Sequence, residues 1–224
     1  ALIPDFIHTG ATLSYWVNLD NLTGSQQMGC YTSSGKNFYL GLNGNLACFS
    51  IHDVTECSLD ISADIPAGTW HHLALVADAG TGTFYLDGIA RDTSSYTPDA
   101  AKNPDAYFNI GAMSDGPGDT AVNWMEGKFD EVAIFNSALT SAQINDIYNG
   151  GVPADLTSLS PLGWWRLGEN DSGTGTSIDD QGSGSNDGTL VSTTTFSRSV
   201  PAEDAKWNNR SMAFDRGSNE HMTS

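Results

Sequence analysis

The sequence predicts an all-β protein, an antiparallel sandwich or jelly roll with one short helix, and three observations carry that expectation. Short stretches rich in β-branched and aromatic residues recur along the chain, punctuated by Gly, Asn-Gly and Asp-Gly turns. The 24 glycines among 224 residues suit many turns rather than long helices. Convincing helical spacing occurs in one place, LTSAQINDIYNGG, which predicts a helix over about 140–149. Hydrophobic residues at 39% and aromatics at 10% are too many for wholesale disorder. A β-sandwich of this length commonly folds as one unit.

Each element follows from its local pattern. TLSYWVNL (12–19), NFYLGL (37–42) and LACFSI (46–51) have strand composition, with Gly35 and Asn43-Gly44 as breaks. GTWHHLALVAD (68–78), GTFYLDG (82–88) and IARD follow, joined by a turn over Ala79 to Gly82 and a tight one at Asp87-Gly88. Because HLALVA is apolar on both faces, it reads as a central strand between two layers. EGKFDEVAIFN (126–136) alternates around Phe129, Val132, Ile134 and Phe135 as another strand. In the helix, Thr140 and Gln143 fit a capping box, Ile144, Ile147 and Tyr148 share a face, and Gly150 suits the residue after the cap. A connector at 153–161 leads to two further blocks, WWRLGEN and RSMAFDRG.

Charge and cysteine content exclude some classes. Nine Lys plus Arg against 27 Asp plus Glu leave a formal charge of -18, which repels a polyanion, so nucleic acid is not an expected partner. No run of about 18 apolar residues exists to span a membrane. Beginning at Ala1, the chain reads as processed or as excerpted from something longer. Cys30, Cys48 and Cys57 lack zinc spacing. A hairpin turning near His52-Asp53 would set Cys48 opposite Cys57 and permit a cross-strand disulfide. Sequons stand at Asn21, Asn170 and Asn209, a triplet that often arises by chance.

GTWHHLALVADAGTGTFYLDG, then FNIGAM, then EGKFDEVAIFNSALTSAQINDIYNGG, resembles the laminin-G-like, concanavalin-A-type jelly roll of the lectin/glucanase superfamily. The resemblance covers nearly the whole chain, in an unusual order. Such domains begin with a block like WWRLGEN, pass a loop like NDGTL and a block like SMAFD, and then reach a block like TLSYWVNL. Here the usual opening stands at 162–224 and the remainder at 1–157. Residues 1–157 therefore form the main part of a sandwich that 158–224 complete. Three arrangements satisfy the need to cover sheet edges. The tail completes its own head, or it completes the head of the next copy in a head-to-tail fibre, or the chain is a window on a tandem array. Proteins with this wording resemble marine phage and bacterial surface proteins, which implies a virion or extracellular setting.

The loop IDDQGSGSNDG offers oxygen donors on a tight, glycine-permitted path, as a hard cation requires. The resemblance implies calcium there, held by Asp180, the Ser183 carbonyl, Asn186 and Asp187, with Asp130 contributing from the F-D-E-V strand. The same residues also serve as ordinary turn formers. A glycoside hydrolase of this superfamily would need E-x-D-x-x-E; Glu126, Asp130 and Glu131 have the wrong spacing, so no enzyme is expected. His71 and His72 point to opposite faces of a strand and cannot easily share an ion. For glycan binding, Trp124 in its loop is the best aromatic platform, followed by Tyr96 and Tyr107, whereas Trp16, Trp164 and Trp165 belong to the core. The leading expectation is a non-catalytic structural or adhesion module of an extracellular or virion fibre, partnered by copies of itself. The alternative is a calcium-dependent carbohydrate-binding adhesin that meets cell-surface glycans.

Overall fold

The computed structural model describes residues 9–31, 37–102, 108–114, 121–169, 175–191, 195–202, 210–214 and 221–223. The first half of the chain supplies β1 (Ala11–Leu19), β2 (Ser25–Cys30), β3 (Phe38–Asn43), β4 (Leu46–Ile51), β5 (Val54–Glu56), β6 (His71–Asp78), β7 (Thr81–Leu86) and β8 (Ile89–Ser95). Then come β9 (Asn109–Ile110), β10 (Met113–Ser114), β11 (Ala121–Val122), β12 (Gly127–Phe135) and helix α1 (Ser141–Tyr148). The tail adds β13 (Gly163–Trp165), β14 (Ser177–Ile178), β15 (Gly188–Val191), β16 (Thr195–Ser197), β17 (Ser211–Phe214) and β18 (His221–Thr223).

One face of the sandwich is a sheet in the order β16-β17-β12-β1-β6-β7-β8, with β13 also paired to β12. The other comprises β11-β10-β2-β3-β4-β5 and β14-β15-β18-β9. Among the described strands pairing is antiparallel except between β10 and β2. The tail strands join both layers of the same chain: β13 and β17 pair with β12, and β18 pairs with β9.

The expected double-sided character of β6 has a direct cause. Leu73, Leu75 and Ala77 enter the core between the sheets, while Ala74 and Val76 enter a second cluster on the sheet's outer face. Ile144 and Ile147 of α1, with Leu139, Leu156 and Trp164, cover that face. The helix begins at a capping box, Thr140 accepting from the Gln143 amide while the Gln143 side chain accepts from Thr140 N–H. It ends at Asn149, a left-handed cap at φ 47°, and Gly150, the residue after the cap, is left-handed as well at φ 67°.

The hairpin turning at His52 and Asp53 joins β4 to β5, and Cys48 is bonded to Cys57. Cys30, outside the disulfide, is buried, and its thiol donates to the Phe38 carbonyl.

Candidate functional site

The site originates in an interruption of β12. Along one edge, Gly127 to Phe129 pair with β17, and Val132 to Ile134 pair with β13, so Asp130 and Glu131 fall between the two partner strands. Along the other edge, Trp16 faces Asp130 but Ser14 faces Ala133, which leaves one extra residue in β12. This is a β-bulge, with Glu131 in a left-handed conformation at φ 49°. Neighbours in a regular strand point to opposite faces. The bulge cancels that alternation here, and carboxylate oxygens of Asp130, Glu131 and Glu169 lie within 4.8 Å of one another.

Glu169 is positioned by the tight path before it. Gly168 has φ 144°, and a Cβ there would stand 2.5 Å from Cβ of Arg210. Arg210 N–H donates to the Glu169 carboxylate. All three acids are buried, at 0%, 4% and 9% exposure in chain order.

Two tail side chains hold Glu131. Arg166 Nε–H donates to Oε1 at 2.9 Å, and Trp164 Nε1–H donates to Oε2 at 2.6 Å. The guanidinium carbon stands 5.3 Å from the centre of the Trp164 ring, within cation–π range. Burial pushes Glu131 up to about 7; the Arg166 charge and the bonds from Arg166 and Trp164 oppose that rise, and Glu169 adds to it. Three carboxylates against one guanidinium leave these four side chains with an excess of negative charge away from bulk water.

Beside this cluster opens a cleft of about 510 Å³. Glu131, Trp164 and Arg166 form its floor, and Val152, Pro153 and Ala154 of the connector form an apolar wall. Asp146 and Asn149 approach from the helix end, Asp155 and Thr157 from the connector and Gln181 from the tail loop.

A family model described as the concanavalin A-like lectin/glucanases superfamily, laminin G type 3, matches residues 3–145. The chain belongs to this family. Among solved structures, the laminin G-like domain is similar to a candidate carbohydrate-binding protein from Bacteroides ovatus. Identity there is 16% and the TM-score 0.57, over 81% of this chain and 52% of the other, so the chain spans about half that protein's length. It is also similar to domain 4 of the extracellular arabinanase AbnA from Geobacillus stearothermophilus, solved with arabinotriose, at 24% identity and TM-score 0.45 over 62% and 68% of the two chains. A heptameric pentraxin from Limulus polyphemus shares 13% identity at TM-score 0.48, over 62% and 69%. No curated protein matches the chain. The Bacteroides likeness shows the shared fold.

In the laminin G-like domain several of the loop residues expected at a cation also make hydrogen bonds within the chain. Asp180 Oδ1 accepts from the backbone N–H of Trp164 and Gly182, and Oδ2 accepts from Asn186 N–H, so one carboxylate closes the loop and docks it on β13. Asp187 Oδ1 accepts from Asp180 N–H. Ser183 donates to the Pro161 carbonyl through both its N–H and its hydroxyl, and the Asn186 carbonyl accepts from Trp165 Nε1. The carboxylate of Asp130, the fifth expected ligand, lies within 4.8 Å of those of Glu131 and Glu169. Tested by donor chemistry, a hard cation fits that cluster, where the donors are carboxylate oxygens and negative charge is in excess. Asp130 and Glu169 are the residues that would hold it.

Of the described aromatic residues expected as platforms, Tyr96 is the one that the fold encloses. Tyr96 is 7% exposed and packs edge-on against His52, so its ring offers no platform. Trp124 is half-buried between β11 and β12, and Tyr107 lies outside the described residues. The indole that borders the cleft is Trp164, which sequence assigns to the core; it does both, packing with Ala133 and Phe135 while its N–H reaches Glu131. The missed signal is Arg166: an arginine following two strand tryptophans needs a buried acid nearby.

Ser14 Oγ and His72 Nε2 lie 2.8 Å apart, a pairing that resembles a nucleophile and its base. Both are almost wholly buried, and burial pushes His72 down to about 4, so the pair holds the sheet rather than meeting substrate. His71 points the other way, to Asp87 at 2.8 Å.

Proposed function

We propose that this laminin G-like domain is a non-catalytic carbohydrate-binding module, supported by a calcium ion and working outside the cell. The observation that carries the reading is the cleft, which is lined by three apolar side chains, an indole, a fixed guanidinium–carboxylate pair and exposed amide and carboxylate groups. Sugars need that combination, because each ring has an apolar C–H face and a girdle of hydroxyls. Hydrolysis would need two carboxylates across the scissile bond. Among the described residues the cleft is lined by the carboxylates of Glu131, Asp146 and Asp155, and both oxygens of Glu131, the buried one, are held by Arg166 and Trp164. Calcium, when bound, would supply positive charge at Asp130 and Glu169 and so fasten a head strand to the tail. The Cys48–Cys57 bond is in keeping with an oxidising, extracellular setting.

A fibre built by strand complementation ranks second. It would require β13, β17 and β18 to leave the partners they have within the chain. A glycan array probed with the calcium-loaded protein should show saturable binding that a chelator removes and added calcium restores. Failure to retain any glycan, or release of reducing sugar from a bound one, would overturn the proposal.

A further inference from the structure

We infer that the cleft selects oligosaccharides bearing no carboxylate or sulfate. This rests on the carbohydrate-binding reading and adds the ligand's charge class and the groups that select it. At about 510 Å³ the cleft lies within the roughly 300–1,000 Å³ typical of small-molecule sites, room for a short oligosaccharide.

A guanidinium is the usual anchor for an acidic sugar, but Arg166 is already committed. Its Nε–H is bonded to Glu131, its plane lies near the Trp164 ring, and its side chain is only 8% exposed. Asp146 and Asp155 at the rim add two further carboxylates, so among the described residues the lining has three acids against one base. Asp155 is held below the usual carboxylate range by its bonds from Thr157, and it is therefore ionised at neutral pH. The formal charge of -18 on the whole chain adds a repulsive field for any approaching anion. Uncharged hydroxyls meet the opposite situation. Carboxylates accept from them, the amides of Asn149 and Gln181 both donate and accept, and the wall from Val152 to Ala154 receives a ring's C–H face.

The test is calorimetric titration of the full chain with matched neutral and uronate or sulfated oligosaccharides taken from array hits. Neutral ligands should bind about tenfold tighter or better, as expected when an anion is placed near unbalanced carboxylates. Thr157→Trp, which fills the rim, should abolish that binding, and Gln181→Ala should weaken it severalfold. Both residues are exposed, and an unchanged melting temperature confirms folding. Stronger binding of acidic glycans would overturn the selectivity. Neutral binding indifferent to both substitutions would overturn the location while leaving the carbohydrate reading intact. No binding of any glycan would overturn that reading itself.

Discussion

β6 and β12 are both interior strands of one sheet, flanking β1, yet they do opposite work. β6 keeps unbroken register with β1 and β7, and its side chains alternate between two apolar clusters. β12 carries nearly the same apolar pattern but is interrupted at Asp130 and Glu131, where its partner changes from β17 to β13 and an extra residue bulges out. Regular pairing yields a core. One left-handed residue in an otherwise similar strand gathers three acids, an arginine and a tryptophan beside a cleft.

The sharpest way to break this contrast is at the pair that closes the β12 interruption. Arg166→Ala leaves Glu131 buried with its charge unbalanced, and the expected loss is about 3–5 kcal/mol in denaturant unfolding. A loss under about 1 kcal/mol would mean the pair does not fasten tail to head.

The next largest effect belongs to β6. The folded-state value of His72 lies below its ordinary 6.5, at about 4. The unfolded chain therefore takes up the proton first, and stability present above pH 6.5 is lost as pH falls toward 4. The loss should approach about 3 kcal/mol. Urea midpoints of the native chain and His72→Gln, compared across that window, isolate it; a pH-independent difference would show that His72 is not held neutral.

The disulfide lies in the other sheet and serves as a control. Replacing Cys48 and Cys57 together by serine should cost about 2–3 kcal/mol, because the closed loop is short, without altering glycan affinity. A matching fall in affinity would place the ligand on that sheet. Smallest of all, Thr140→Ala should cost about 1 kcal/mol by removing the cap of α1, which covers β6 and borders the cleft. Thermal unfolding with no change would mean that the helix start is fastened by packing alone.

Much of the frame is legible in the sequence because it depends on period and punctuation. The two-faced apolar run of β6, the Asp87-Gly88 turn and the Thr140/Gln143 capping box each read locally and appear where expected. β2, with its sequence SQQMGC, lacks that pattern; its amide side chains satisfy one another and the neighbouring loop instead, Gln26 with Asn21 and Gln27 with Asn123. The site is less legible for a different reason. Asp130 and Glu131 share a side because of a backbone conformation that β-branched or bulky residues strongly avoid and that no local motif announces. Arg166 and Glu169 meet them across 35 or more positions of chain, which only the tertiary fold decides. Asp180 looks like a ligand by composition, and the fold also uses its carboxylate to close the loop through backbone amides, which composition does not announce.

Hydrogen exchange with and without a bound neutral oligosaccharide tests the central claim most directly. Protection should appear in the peptides spanning 146–157, 163–167 and 180–182, which meet at the interrupted half of β12, while β6 stays unchanged. Protection centred on β3 and β4 of the opposite sheet, or around Trp124, with those peptides unaffected, would contradict it.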